Sequence, residues 1–239
     1  MAVGYGTFQS TATWTATPLT ISVNLTGVAG LWVGVIQVGG VTDEAGTLTI
    51  GASTISRTSG ASATQQVNGA GGSVGRVYSF LIGTGLPSGT QTLAITQSGS
   101  TLKQMGVCAI TAAQDVEEAA VNGLSSTNVT NPTLSLAPGA GVNTVSFSAA
   151  HIADFIGGHT PGTGCTDLLA VGDGSHTKAW ERRTSVDTTS PFTHGWNYNN
   201  DDICAVAVAV KESAVPADNT TRLAVAGMFS PDLLPGMWH

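Results

Sequence analysis

The sequence is short of charge. Of 239 residues, eight are Lys or Arg and fifteen are Asp or Glu, which leaves a net charge of −7. Eight scattered cations make no basic patch able to neutralise a phosphate backbone, so nucleic acid is not an expected partner. Long apolar runs are lacking too: none reaches the roughly 18 residues of a membrane-spanning helix, and no membrane partner is expected. The first ten residues carry neither the basic start nor the apolar stretch of a secretory signal, which predicts synthesis in the cytoplasm. Cysteine is sparse: Cys108, Cys165 and Cys204 are an odd set without CxxC spacing, so neither a disulfide framework nor a cysteine-rich zinc motif is expected. Cys108 and Cys204 sit inside apolar stretches, where a free thiol behaves as a small buried hydrophobe. GxSxG and HExxH are missing.

What the chain has instead is glycine, 31 of them, and a 41% hydrophobic fraction against 10% charged. Disordered chains combine low hydrophobicity with high charge, so this composition predicts many strands joined by tight turns. LWVGVIQV (31–38), MGVCAIT (105–111) and ICAVAVAV (203–210) are apolar on both faces, the mark of strands covered on both sides. In the last, Cys204, Val206, Val208 and Val210 share one face, and Ile203, Ala205, Ala207 and Ala209 the other. VYSFLI, the turn GLPSGT and QTLAITQ read as a hairpin-like unit. Residues 178–185 and 192–198 read as a pair of strands, and Asp115 to Ala120 as a helical turn. The Gly-rich stretch from Gly69 to Gly75 lacks the Lys-Ser/Thr of a phosphate loop and runs into a strand, so it reads as a turn. MGVCAIT and ICAVAVAV each follow a hairpin-like unit, which suggests two related halves.

The pattern predicts an all-β fold, a two-sheet antiparallel β-sandwich of jelly-roll type. It divides the chain into an N-terminal arm over 1–19, a sandwich over 20–212, and a linker with an apolar tail over 213–239. The arm can begin with an edge strand or reach a neighbour. A closed domain has no need of a tail carrying Leu223, Met228, Phe229, Leu233, Leu234, Met237 and Trp238, so those residues are expected to dock on another subunit. Burying them falls short of the entropy of ordering nineteen residues, so backbone pairing with the partner's sheet edge is expected as well.

Candidate chemistry is thin. His151, Asp154 and His159, with Asp167 or Asp173, offer metal ligands without the spacing of a closed zinc set. Cys165 with a histidine invites a nucleophile, but no signature accompanies it. Glu181 and Asp187 are the carboxylates on plausible strands for glycoside hydrolysis, and Asp201 with Asp202 form a polar turn short of the oxygens that calcium needs. Phe192, His194, Trp196 and Tyr198 alternate along a strand. As an exposed row they would stack on a glycan; as core they would fill the space between sheets, beside Trp180. The core reading is preferred. The expectation is a non-enzyme with no catalytic residue, metal or cofactor.

LWVGVIQV, LTIGASTISRTS, RVYSFLIGTGLPSGTQTLAITQSGS, KQMGVCAITAAQDVEEAAVNG, NTVSFSAAH and WNYNNDDICAVAVAVKES together resemble a β-sandwich family of bacteriophage virion structural proteins and bacterial surface proteins. Pro87, Gly89 and Thr90 match its Pro-x-Gly-Thr element, and Asp115 to Glu118 its polar turn. The resemblance covers about residues 20–212. The ending MFSPDLLPGMWH is similar to the Phe-x-Pro-x-Leu…Trp endings of phage structural proteins. The resemblance implies a virion component that decorates or stabilises a capsid, or forms part of a head fibre or tail. Its partners would be other virion proteins and further copies of itself. A carbohydrate-binding or receptor-adhesion module is the alternative.

Overall fold

The computed structural model describes residues 3–11, 18–38, 47–51, 53–55, 64–68, 74–96, 102–153, 159–172 and 176–214. The tail residues Leu223, Met228, Phe229, Leu233, Leu234, Met237 and Trp238, and the ligand candidates Asp154 and Asp173, lie outside them. Among the described residues the chain forms strands and no helix. The first half holds β1 (Gly4–Ser10), β2 (Leu19–Asn24), β3 (Gly30–Val38), β4 (Thr47–Ile50), β5 (Ser53–Ile55), β6 (Thr64–Asn68), β7 (Val74–Ile82), β8 (Thr90–Thr96) and β9 (Leu102–Thr111). The second holds β10 (Val116–Val129), β11 (Thr133–Leu136), β12 (Val145–Ala153), β13 (Thr160–Pro161), β14 (Cys165–Gly172), β15 (His176–Arg183), β16 (Phe192–Asn197) and β17 (Asp201–Glu212).

The strands make four antiparallel sheets. In the first half a large sheet runs β1-β9-β3-β7-β6 and a small one β2-β8-β4-β5; in the second the large sheet runs β10-β17-β12-β15-β14 and the small one β11-β16-β13. The two large sheets correspond strand for strand, and the small ones do so except for β5, which has no counterpart among the described residues of the second half. Each half sets its first strand beside its last and its third strand beyond that, and pairs its second strand with its penultimate one.

Three apolar layers separate the four sheets. Leu31, Val33, Phe80 and Val107 of the first large sheet meet Leu19, Leu48, Leu93 and Ile95 of its small sheet. In the second half Ile152, Ala179, Ala205 and Ala207 meet Leu134, Leu136, Phe192 and Trp196. Between the two large sheets lie Trp32, Ile36, Cys108, Phe147, Trp180, Val206 and Val208. The order is therefore small, large, large, small.

This central layer is packed around rings and glycines. Trp32 of β3 stacks on Phe147 of β12, centroids 5.1 Å apart and planes within 12°. Trp180 of β15 donates its indole N–H to the Gly34 carbonyl at 2.9 Å. Glycine inside a strand marks a close approach: a Cβ on Gly106 would lie 2.6 Å from Trp180 Cδ1, and one on Gly34 2.7 Å from the Trp32 ring.

The all-β antiparallel sandwich is present, built twice, with four sheets where two were expected. Two strands apolar on both faces, one closing each half, each need a layer on either side. Gly4–Ser10, placed in the arm, is an edge strand paired with β9. The expected helical turn at Asp115 to Ala120 is instead the start of β10, whose pairing with β17 overrides local helix preference. The hairpin-like unit is a crossing: β7 pairs with β3 and β6, β8 with β2 and β4, and the chain changes sheets around Gly89, at φ 82°. Likewise β15 and β16 are not partners, since β15 pairs with β12 and β14, and β16 with β11 and β13.

Candidate functional site

The chemistry-bearing side chains gather at one end of the second sandwich. Alternation along β15 turns Trp180 to the central layer and its neighbour Glu181 to the opposite side, toward the small sheet. β14 pairs with β15 so that Cys165 faces Arg183 and Asp167 faces Glu181. His194 comes from the inner face of β16, and His159 precedes β13. Ser148 of β12 lies opposite Glu181 across the ladder.

Contacts tie these groups together. His159 Nε2 is 2.9 Å from Glu181 Oε1, and His159 Nδ1 is 3.8 Å from Asp167 Oδ1. Cys165 Sγ is 3.8 Å from His194 Nδ1, whose Nε2 is 3.0 Å from Ser146 Oγ. The Arg183 guanidinium donates to both Asp187 oxygens at 3.2 and 3.3 Å and to the Thr163 and Thr193 carbonyls, each at 3.1 Å. Glu181, His194, Ser146 and Ser148 are fully buried. Glu181 Oε2, Ser148 Oγ, His159 Nδ1 and Asp167 Oδ1 are buried without a hydrogen-bond partner.

Burial sets the charge states. It pushes the Glu181 carboxyl up to about 9, helped by the nearby Asp167. It depresses His194 to about 3, with the Arg183 charge adding to the effect. The Cys165 thiol is raised by burial and by Glu181. Burial lowers His159 and raises Asp167, while the charge of each opposes the shift of the other. At neutral pH Cys165, Glu181 and His194 are thus uncharged, and a raised thiol is a poor nucleophile.

No protein-family model matches this chain, and neither a curated protein nor a solved structure is similar to it. The reading therefore rests on the residues themselves.

Of the sequence candidates, His159, Asp167, Cys165, Glu181 and His194 come together, although they were read as members of four separate constellations. His151 does not join them. It faces the central layer side, its ring 5.0 Å from that of His176. Asp187 is held by the Arg183 guanidinium through both of its oxygens. Asp202 caps its turn by accepting from the Asn128 N–H at 2.9 Å. Phe192, Trp196 and Tyr198 belong to the core under the small sheet, and His194 is buried beside them, so this row presents no ring face to a glycan. Trp180, expected as their neighbour, points into the central layer. The three cysteines are buried and form no disulfide. A shallow cleft of about 380 Å³ opens where residues 112–115 join the halves, lined by Gly27, Val28, Gly85 and Leu86 among others.

The sequence reading missed Glu181 as a partner of the histidines. The available signal was a charged residue next to Trp180 in a strand whose alternation turns both of its faces inward.

Proposed function

We propose that this chain is a non-enzymatic structural component of a bacteriophage virion, decorating or stabilising the capsid or forming part of a head fibre or tail. The observation that carries the reading is the doubled strand order. In the first half β1-β9-β3-β7-β6 packs on β2-β8-β4-β5, with the chain crossing repeatedly between the two sheets, which supports the jelly-roll reading. The second half repeats the plan, and the two large sheets close on each other. Such a block offers defined outer sheet faces, which suits an assembly part.

The apolar C-terminal tail is the docking element in this reading. β17 ends at Glu212, and the Ser213 N–H bonds the Asp115 carbonyl at 2.8 Å, which supports a boundary between the sandwich and the tail at this point. Mass spectrometry of purified particles tests the proposal, with copy number measured against the major capsid protein. The full chain is expected in particles at stoichiometric copy number, and a chain truncated after Ser213 is expected to fold yet be lost from them. Absence of the full chain, or incorporation of the truncated one at full occupancy, overturns the reading. The burial of Phe192, His194, Trp196 and Tyr198 favours this reading over the adhesion alternative.

A further inference from the structure

Two triads among the described residues bring their ligand atoms within 4.8 Å of one another: Cys165, Glu181 and His194, and His159, Asp167 and Glu181. We propose that Cys165 Sγ, His194 Nδ1 and a Glu181 carboxylate oxygen bind one zinc-like divalent ion that staples the small sheet of the second sandwich to the large one.

The separations are short enough for one ion to reach all three ligands, whose atoms lie within 4.8 Å of one another. With Zn–S about 2.3 Å and Zn–N about 2.0–2.1 Å, tetrahedral ligands stand about 3.6 Å apart. The Cys165 Sγ to His194 Nδ1 distance is 3.8 Å. The ligands approach from different elements: Cys165 from β14, Glu181 from β15 and His194 from β16. An ion between them joins the two sheets across the sandwich.

The groups behind the ligands are already in place. A metal-bound histidine donates its other ring N–H to an oxygen, which fixes the tautomer. His194 Nε2 has Ser146 Oγ at 3.0 Å for that purpose, leaving the Nδ1 lone pair toward Cys165. A metal-bound carboxylate is itself held by a hydrogen bond, and His159 holds Glu181 Oε1 at 2.9 Å. Glu181 Oε2 remains, fully buried and without a partner. An unsatisfied buried acceptor is costly, and a cation satisfies it. Three protein ligands leave the fourth tetrahedral position to solvent.

Charge also balances. The thiol and the carboxylic acid each give up a proton, and the resulting thiolate and carboxylate cancel the two charges of the ion. Arg183, which borders Cys165 and His194, is itself paired with Asp187. A sulfur, a nitrogen and one oxygen select zinc or a similar transition ion over calcium or magnesium, which take oxygen ligands.

Among the described residues the first half has no equivalent cluster. Ser79 pairs with Gly34 as Trp180 pairs with Ala149, and Gly34 and Ala149 each stand two residues after one of the stacked rings Trp32 and Phe147. The residue matching Glu181 is thus Phe80, buried among aliphatic side chains.

The test uses the full chain. After loading with zinc and dialysis into metal-free buffer, elemental analysis is expected to find one zinc per chain. Cobalt titration is expected to give a thiolate-to-metal charge-transfer band in the near ultraviolet. Cys165→Ala should lose both the band and the retained zinc. Glu181→Gln, which matches the neutral acid in shape, should leave the thermal midpoint of the metal-free protein in place while removing stoichiometric zinc. His159→Asn, acting through Glu181, should weaken zinc by about 10- to 100-fold. Absence of retained zinc in the full chain overturns the proposal in favour of a hydrogen-bonded polar core. So does a cobalt spectrum that Cys165→Ala leaves unchanged, or zinc retention by a folded Glu181→Gln.

Discussion

The two halves share one wiring plan and fill it differently. Under the small sheet of the first half the space is taken by Leu19, Leu31, Val33, Leu48, Phe80, Leu93 and Ile95. The corresponding layer of the second half has alanines along its large sheet, Ala150, Ala179, Ala205, Ala207 and Ala209, and ends in the buried cluster around Glu181. Strand order therefore does not depend on a particular filling. An aliphatic layer holds its sheets by burial alone, whereas a layer of small residues with a polar end gains from an added clamp. The halves are also joined through the central layer, to which both contribute.

The largest effect is expected from breaking that shared layer. Trp180→Ala removes a fully buried indole and its bond to the Gly34 carbonyl, and should cost about 3–5 kcal/mol. Denaturant unfolding followed by tryptophan fluorescence and by circular dichroism should show both probes shifting together. A variant in which one half unfolds early while the other keeps its midpoint would show that the halves are separable.

Next comes the clamp. With free zinc at 100-fold its dissociation constant, the second half should gain about 2.7 kcal/mol that a chelator removes. Hydrogen exchange should report the loss in β14, β15 and β16 and leave β4, β7 and β8 as they were. Equal loss of protection in both halves would mean that the asymmetry between their layers has no energetic meaning.

Gly106→Ala sharpens the comparison from the other side, because it sits in the first half and presses on the second. Its Cβ would lie 2.6 Å from Trp180 Cδ1, and overpacking of this kind costs about 1–3 kcal/mol. A fall in the thermal midpoint checks it, and combining it with Trp180→Ala should erase most of its effect. The smallest effect is expected from Tyr5→Phe. The Tyr5 hydroxyl accepts from the Ser146 N–H at 3.1 Å, linking β1 to β12 of the other half, and its loss should cost about 0.5–1.5 kcal/mol in the same melt.

Much of the architecture was legible wherever one strand carried its own information. The two faces of β17 fall as its alternation predicts, with Cys204, Val206, Val208 and Val210 in the central layer and Ile203, Ala205, Ala207 and Ala209 under the small sheet. The paired apolar strands that hinted at two halves, β9 and β17, occupy matching places. Sheet membership was not legible. The link between β7 and β8 has the composition of a hairpin, and only the long-range pairing of β8 with β2 and β4 makes it a crossing. The site was hidden for the same reason. His159 and Glu181 are 22 residues apart, Cys165 and His194 29, and their meeting depends on the register of β14 with β15 and on the docking of β16. Read singly, each has a bland place: a turn histidine, a lone thiol, a strand carboxylate, one ring of an aromatic row.

The place of β17 has a mechanical consequence. It lies between β10 and β12, with antiparallel ladders on both sides, and its last residues lead directly to residue 213. A pull applied there along the strand axis would load both ladders in shear, so that many hydrogen bonds must fail together instead of opening one by one. Whatever holds the residues beyond 213 is thus tethered to the strand best placed to bear tension.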